Sequence, residues 1–209
     1  MYLYKTLYSY GEAEYVIDRS RFIARALPVS SYEEAQEYVA KIKSEFKDAT
    51  HNVPAIVFGM KQEHKWASDD GEPSGTSGFP IMNMLADEGL TNLVVVITRY
   101  FGGIKLGTGG LVRAYTQAAK LALEEAGICD VYEAVSFTCV VDYTYLAKIQ
   151  NIAKDGHFEI LNIEYSDKVK LEIVCMIEEE EKVITEIMDI SGGNVLTSDR
   201  KECNIRKLV

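Results

Sequence analysis

Hydrophobic and polar positions alternate over Glu14–Ile17 and again over Phe22–Leu27, the period-two pattern of half-buried strands. The short polar stretch Asp18–Arg21 between them predicts an antiparallel pair. Pro28 ends the second strand, and Ser30 or Ser31 is placed to cap a helix with Glu33 and Glu34 in its first turn. Tyr32, Ala35, Tyr38, Val39, Ile42 and Phe46 recur at helical spacing and form its apolar face. Val53–Met60 reads as a strand, with Pro54 tolerable near its start or at a sheet edge. A loop covers Trp66–Pro80, and a helix follows from about Phe79 to Glu88, with Pro80 suited to its first turn and Gly89 to its stop. Leu93–Ile97 is apolar at every position, which marks a central strand buried on both faces. After a second loop, Phe101–Gly110, the stripe Leu111, Tyr115, Ala118, Ala119, Ala122, Leu123 and Ala126 predicts a helix from about Thr108 to Ala126, stopped by Gly127.

The order then changes. Val135–Val141 reads as a strand and Tyr143–Lys154 as a helix closed by Gly156. His157–Tyr165 and Lys168–Ile177 are strands meeting at a Ser166–Asp167 turn. Glu178–Ile190 is a helix with acidic residues at its positive end, and a last strand begins at Asn194–Thr197. Strand, helix, strand, strand, helix, strand is the βαββαβ order of ferredoxin-like domains. Two domains are therefore expected, 1–133 and 134–209, in an α+β chain.

Composition narrows the classes. At 209 residues and 47% hydrophobic content the chain can bury a proper core. Its longest apolar run, Leu93–Ile97, is far too short to span a bilayer, and the N-terminus lacks the cationic start and apolar stretch of a signal peptide. Cys129, Cys139, Cys175 and Cys203 are scattered, so reduced thiols in a cytoplasmic protein are expected rather than a disulfide frame. His51, His64 and His157 form no HExxH motif or close pair, and no metal or cofactor is expected. The net charge is −10, shared between the two halves, which counts against broad non-specific nucleic-acid binding but leaves room for a local basic patch.

The candidate chemistry lies between Asp69 and Tyr115, which hold nine of the fifteen glycines. Gly102, Gly103, Gly107, Gly109 and Gly110 precede a helix whose N-terminal amides suit an anion, and Arg99, Lys105 and Arg113 add formal charge. The loop is neither a Walker A motif, since Thr108 stands where lysine is needed, nor a dinucleotide fingerprint, since Val112 occupies the third glycine position. The alternative is a tight strand-to-helix crossover in which the glycines serve packing and Arg113 joins an ion pair. A secondary cluster, Asp69, Asp70, Glu72, Ser74 and Thr76, has the groups to hold Mg²⁺ or supply a general base. The same residues also suit helix capping and turn bracing, the commoner use of acidic turn residues. His51 is either a proton carrier beside these carboxylates or a hydrogen-bonded structural residue, and Trp66 either a stacking surface or a partly buried side chain.

DDGEPSGTSGFP at 69–80, followed by VVVITRYFGGIKLGTGGLVRAY at 94–115, resembles the IMPACT family in its bacterial YigZ-like branch. Ser77 stands where members often carry alanine. The resemblance implies an N-terminal α/β sandwich like domain 2 of ribosomal protein S5, and a smaller ferredoxin-like C-terminal domain. The pair would resemble the fourth and fifth domains of translation elongation factor G. It also implies a link to translation, since eukaryotic members act in translational control, and hence RNA, the ribosome or a translation-associated protein as partner. Three functions are carried forward: a cytoplasmic RNA- or ribosome-contacting module, a protein-interaction scaffold, and a small-molecule enzyme that binds a phosphate-containing ligand. The enzyme comes last because no nucleophile–base pair is recognisable, and no catalytic residue is assigned.

Overall fold

The computed structural model describes residues 1–209, which divide into two compact units. One comprises Tyr4–Asp130 with Lys207–Val209, the other Met1–Leu3 with Val131–Arg206. In chain order the elements are β1 (Tyr2–Leu7), β2 (Gly11–Ile17), β3 (Ser20–Pro28), α1 (Tyr32–Glu45), β4 (His51–Phe58), β5 (His64–Ala67), α2 (Gly78–Asp87), β6 (Leu93–Tyr100) and α3 (Gly107–Ala126). There follow β7 (Ile128–Val141), α4 (Tyr143–Ala153), β8 (Phe158–Tyr165), β9 (Val169–Met176), a short 3₁₀ turn at Ile177–Glu179, α5 (Glu180–Ile190) and β10 (Leu196–Leu208). None of the helices is long and apolar enough to cross a membrane.

The first unit is an antiparallel sheet of order β2-β3-β6-β4-β5 with helices on both faces. Strand β6 occupies the middle, as its unbroken apolar sequence requires. Leu93, Val95 and Ile97 point to one face and join the buried stripe of α3 and residues of α2, whereas Val94 and Val96 join Ala35, Val39 and Ile42 of α1 on the other. The predicted α3 stripe is fully buried, with Ala114 added to it. Its alanines let the helix lie close to the sheet: a Cβ on Gly11 of β2 would fall 2.3 Å from the Ala122 carbonyl oxygen. Ser31 is the cap of α1, its hydroxyl accepting from the Glu34 amide at 3.0 Å. Pro54 is accommodated because β5 pairs only with Ala55–Phe58; at Pro54 itself Ser68 donates to the proline carbonyl, and the missing N–H falls beyond the end of that ladder.

The second unit runs β7-α4-β8-β9-α5-β10, with β10 and β9 flanking β7 and β8 outside β9, the ferredoxin-like arrangement. Strict alternation builds it: Val135, Phe137, Cys139 and Val141 of β7 and Val169, Leu171, Ile173 and Cys175 of β9 form a core with Ile149, Val183 and Ile187 from the two helices. Burial pushes the Cys139 thiol up to about 12 and the Cys175 thiol up to about 11, consistent with inert packing residues.

Four elements depart from the sequence reading. β7 starts at Ile128 rather than Val135 and runs unbroken through the expected 133/134 boundary. β1 and the short edge strand β5 were not anticipated, and β10 extends to Leu208 although its residues are almost all exposed and polar. β10 is a strand because it pairs with β7, whose hydrogen-bonding edge holds it regardless of its own propensity.

Candidate functional site

The loop between β5 and α2 is organised by Asp69. Its Oδ1 accepts from the Ser77 amide at 3.0 Å, the Ser77 hydroxyl at 2.8 Å and the Gly78 amide at 3.0 Å, and its Oδ2 accepts from the Gly75 amide at 2.7 Å. Partial burial works against the charged carboxylate, but these hydrogen bonds outweigh it and hold Asp69 below the usual carboxylate range. Asp69 thus caps α2 across the loop. Thr76 closes the same turn, donating to the Pro73 carbonyl at 2.6 Å, while Ser74 is exposed at the loop surface.

Asp70 adopts the left-handed conformation, φ +48°, which is costly for a non-glycine residue. Three bonds maintain it: its Oδ2 accepts from the Asn52 amide at 2.6 Å, its Oδ1 from Lys43 Nζ at 2.5 Å, and its own amide donates to Ser68 Oγ at 3.1 Å. The result is that the Asp70 carbonyl stands 2.7 Å from Nδ1 of His51. A carbonyl only accepts, so Nδ1 carries the proton and the neutral ring presents its Nε2 lone pair on the other side. Nε2 faces Glu72 Oε2 across 3.7 Å.

Glu72 turns inward. Its Oε1 accepts from Arg99 Nη1 at 2.5 Å and from the Tyr115 hydroxyl at 2.8 Å. The Glu72 and Arg99 side chains are 3% and 6% exposed, so this is an interior ion pair. Arg99 also lies over the rings of Phe22, at 5.2 Å, and Phe101, at 5.4 Å. The arrangement follows from register: His51 of β4 is paired with Arg99 of β6, and Phe22 of β3 is paired with Arg99 on the other side. Burial, reinforced by the Glu72 carboxylate, drives the Tyr115 phenol far above its ordinary value and keeps it a donor.

The second loop leads from β6 to α3. Gly102 is architectural: a Cβ there would stand 2.0 Å from the Arg19 carbonyl carbon in the β2–β3 turn, and its amide donates to Ser20 Oγ at 3.1 Å. Gly103 and Gly107 hold φ of +88° and +71° at the turns before the helix. Gly109 and Gly110 lie in the first turn of α3, which has no side-chain cap and no acidic residue. Its first amides therefore keep the anion-attracting end of a 20-residue helix open. Lys105 and Arg113 are exposed beside it.

These parts converge on one cavity of about 410 Å³, lined by His51, Glu72 and Arg99 together with Thr50, Pro73, Phe101 and residues 105–108 and 111. The structure thus brings the Glu72 end of the acidic cluster and the glycine loop into a single site. Asp69, Asp70 and Thr76 stand behind it as supports, and the charge of Arg99 is matched inside the fold by Glu72. Tyr115, Ser20 and Lys43 belong to the assembly without having been anticipated. Tyr115 carried a usable signal, since a tyrosine on an otherwise alanine-rich buried stripe needs a partner for its hydroxyl. No cluster of His, Cys, Asp and Glu is arranged to hold a metal ion.

A two-unit α+β chain, with a sandwich carrying this Asp-Gly loop and glycine-rich crossover followed by a ferredoxin-like unit, defines a recognisable class. The Impact N-terminal domain family matches residues 18–123, and the Domain of unknown function (DUF1949) matches residues 139–194. The chain is 41% identical over 203 residues to the IMPACT family member YvyE of Bacillus subtilis, covering 97% of this chain and 92% of that one. It is 31% identical over 181 residues to the IMPACT family member YigZ of Escherichia coli, covering 86% and 89% of the two chains. A solved structure described as a hypothetical protein superposes with a TM-score of 0.60 at 29% identity, covering 94% of this chain and 97% of that one. The chain belongs to the IMPACT family.

Proposed function

We propose that this chain is a cytoplasmic binding protein linked to translation, which contacts the phosphate backbone of RNA through the open N-terminus of α3. The observation that carries this reading is the uncapped first turn, Gly107–Gly110, flanked by exposed Lys105 and Arg113. Backbone amides at a helix start attract phosphate, and two nearby cations supply the charge. Phe101, 45% exposed at the same rim, offers a ring on which an unstacked base can lie. The net charge of −10 makes such a contact local rather than a broad electrostatic field. Membership of a family whose eukaryotic members act in translational control supports the link to translation.

Fluorescence anisotropy with single-stranded RNA at several salt concentrations tests it. Affinity should fall with salt, and Lys105→Ala with Arg113→Ala should weaken binding across sequences while reducing the salt slope by about one to two. Wild-type affinity and slope in the folded double variant refute the reading. Partner capture from lysate that survives nuclease treatment and is lost in the same variant points to a protein partner instead.

A further inference from the structure

The cavity beneath this surface has features that an RNA backbone contact does not use. Glu72 is buried, lines the cavity and accepts two hydrogen bonds at Oε1, yet no donor lies within hydrogen-bonding distance of Oε2. The group facing that oxygen is His51 Nε2, 3.7 Å away, and with Nδ1–H committed to the Asp70 carbonyl the neutral ring presents a lone pair there. In the neutral ring, two acceptors thus face one another across 3.7 Å. An unpartnered carboxylate oxygen on a buried, otherwise well-bonded side chain that lines a cavity marks a place where a further group belongs. The backbone strain at Asp70 points the same way, because three side-chain bonds are spent on aiming its carbonyl at His51.

The remaining walls complete the specification. Pro73, Phe101, Leu106 and Leu111 make them mainly apolar, and the open amides of α3 with Lys105 lie at another part of the rim. Since Arg99 and Glu72 neutralise one another, the uncompensated charge is positive and lies at that rim. A fitting ligand thus has three parts: an anion for the helix start, an apolar body, and a hydroxyl to donate between His51 and Glu72. At about 410 Å³ the cavity lies within the range of small-ligand sites.

We propose that this cavity binds a phosphate ester of a hydroxylated ring compound, the chemistry of a nucleoside monophosphate, free or at the end of an RNA chain. The phosphate sits on the α3 amides and Lys105, the ring against Phe101 and Leu111, and a ribose hydroxyl shares its one proton between His51 Nε2 and Glu72 Oε2 in a three-centre bond. The phosphate end rests on the reading of the α3 N-terminus given above, whereas the hydroxyl end is independent of it.

The protein has three histidines, so their imidazole signals can be assigned individually by NMR and followed during titration. Adenosine 5′-monophosphate should shift the His51 signals saturably, with adenosine and inorganic phosphate each binding about tenfold or more weaker. His51→Ala should weaken the mononucleotide about tenfold, the loss of one hydrogen bond to a buried polar pair. Thr108→Trp, at an exposed position on the rim, should close the cavity without disturbing the core. Displacement of the mononucleotide by a 5′-phosphorylated RNA oligomer, and not by its 5′-hydroxyl counterpart, supports the chain end as the source; no displacement by either supports the free nucleotide. Absence of a saturable shift, equal binding of inorganic phosphate, or unchanged binding in the folded Thr108→Trp variant overturns the proposal. If the mononucleotide fails while RNA binding still responds to the Lys105 and Arg113 substitutions, the pocket alone is refuted; if both fail, the surface falls with it.

Discussion

Replacing Glu72 with alanine removes the carboxylate that neutralises Arg99. Both side chains are almost wholly buried, at 3% and 6% exposure, so the guanidinium cannot turn to water for compensation. Its remaining contacts are Ser20 Oγ at 3.4 Å and the faces of Phe22 and Phe101. Leaving a buried charge without its partner costs about 3–5 kcal/mol. The Tyr115 hydroxyl is orphaned at the same time, which places the loss toward the upper part of that range. A domain of this size is stable by only about 5–15 kcal/mol, so the effect is a large fraction of the whole. Urea unfolding followed by tryptophan fluorescence isolates it, because the single tryptophan, Trp66, lies in β5 of the first unit. With an m-value of about 2 kcal/mol/M, the midpoint should drop by about 1.5–2.5 M. The triple variant Glu72→Leu, Arg99→Met, Tyr115→Phe removes both charges and the hydroxyl, and should unfold within about 2 kcal/mol of wild type. A Glu72→Ala loss below about 1 kcal/mol would falsify the assignment of Arg99 to an interior ion pair and return it to the ligand-facing surface.

Two neighbouring glycines should respond oppositely to alanine. Gly102→Ala drives a Cβ into the backbone of the β2–β3 turn and should destabilise by about 1–3 kcal/mol. At Gly109→Ala the nearest atom is Arg113 Nη1 at 3.9 Å, and the gain in helix propensity should stabilise by about 0.5–1 kcal/mol. The same urea experiment reads both, and equal effects would show that the loop is uniformly packed. Asp69→Asn should cost about 1–2 kcal/mol at neutral pH, the scale of a lost helix cap. Because the folded carboxyl is held below its unfolded value, its contribution is present above the ordinary aspartate range and lost as pH falls through the lowered value. Wild type and variant should therefore converge in acid, and a difference that is constant with pH would contradict the capping role.

Much of the fold was legible in local pattern. The unbroken apolar run of β6 announced a strand covered on both faces, and the α3 stripe announced a helix face of small residues, because side-chain periodicity reports burial directly. The turn chemistry of the 69–80 segment was legible too, as a cluster of acidic and glycine residues before a helix. The start of β10 near Asn194–Thr197 was legible, but its length was not, since most of Thr197–Leu208 is polar and exposed and stays a strand only where the edge of β7 holds it.

The candidate site divides along the same line. The residue types were visible in the chain: a histidine opening a strand, carboxylates in a glycine-rich turn, an arginine ending an apolar strand, a tyrosine on a buried helix face. Their roles were not, because roles depend on register. Pairing His51 with Arg99 across β4 and β6 places the histidine beside Glu72, and packing α3 on that face delivers the Tyr115 hydroxyl to the same carboxylate. Local sequence thus determined the buried central elements and the faces they bury, for those follow from each segment's own periodicity and backbone preferences, whereas β1, β5 and the length of β10 depend on the strands beside them. Tertiary structure alone decided that Arg99 is spent inside the fold while Lys105 and Arg113 remain outside it. A charge is interior or exterior only by virtue of what packs around it, and that is a property of several segments at once.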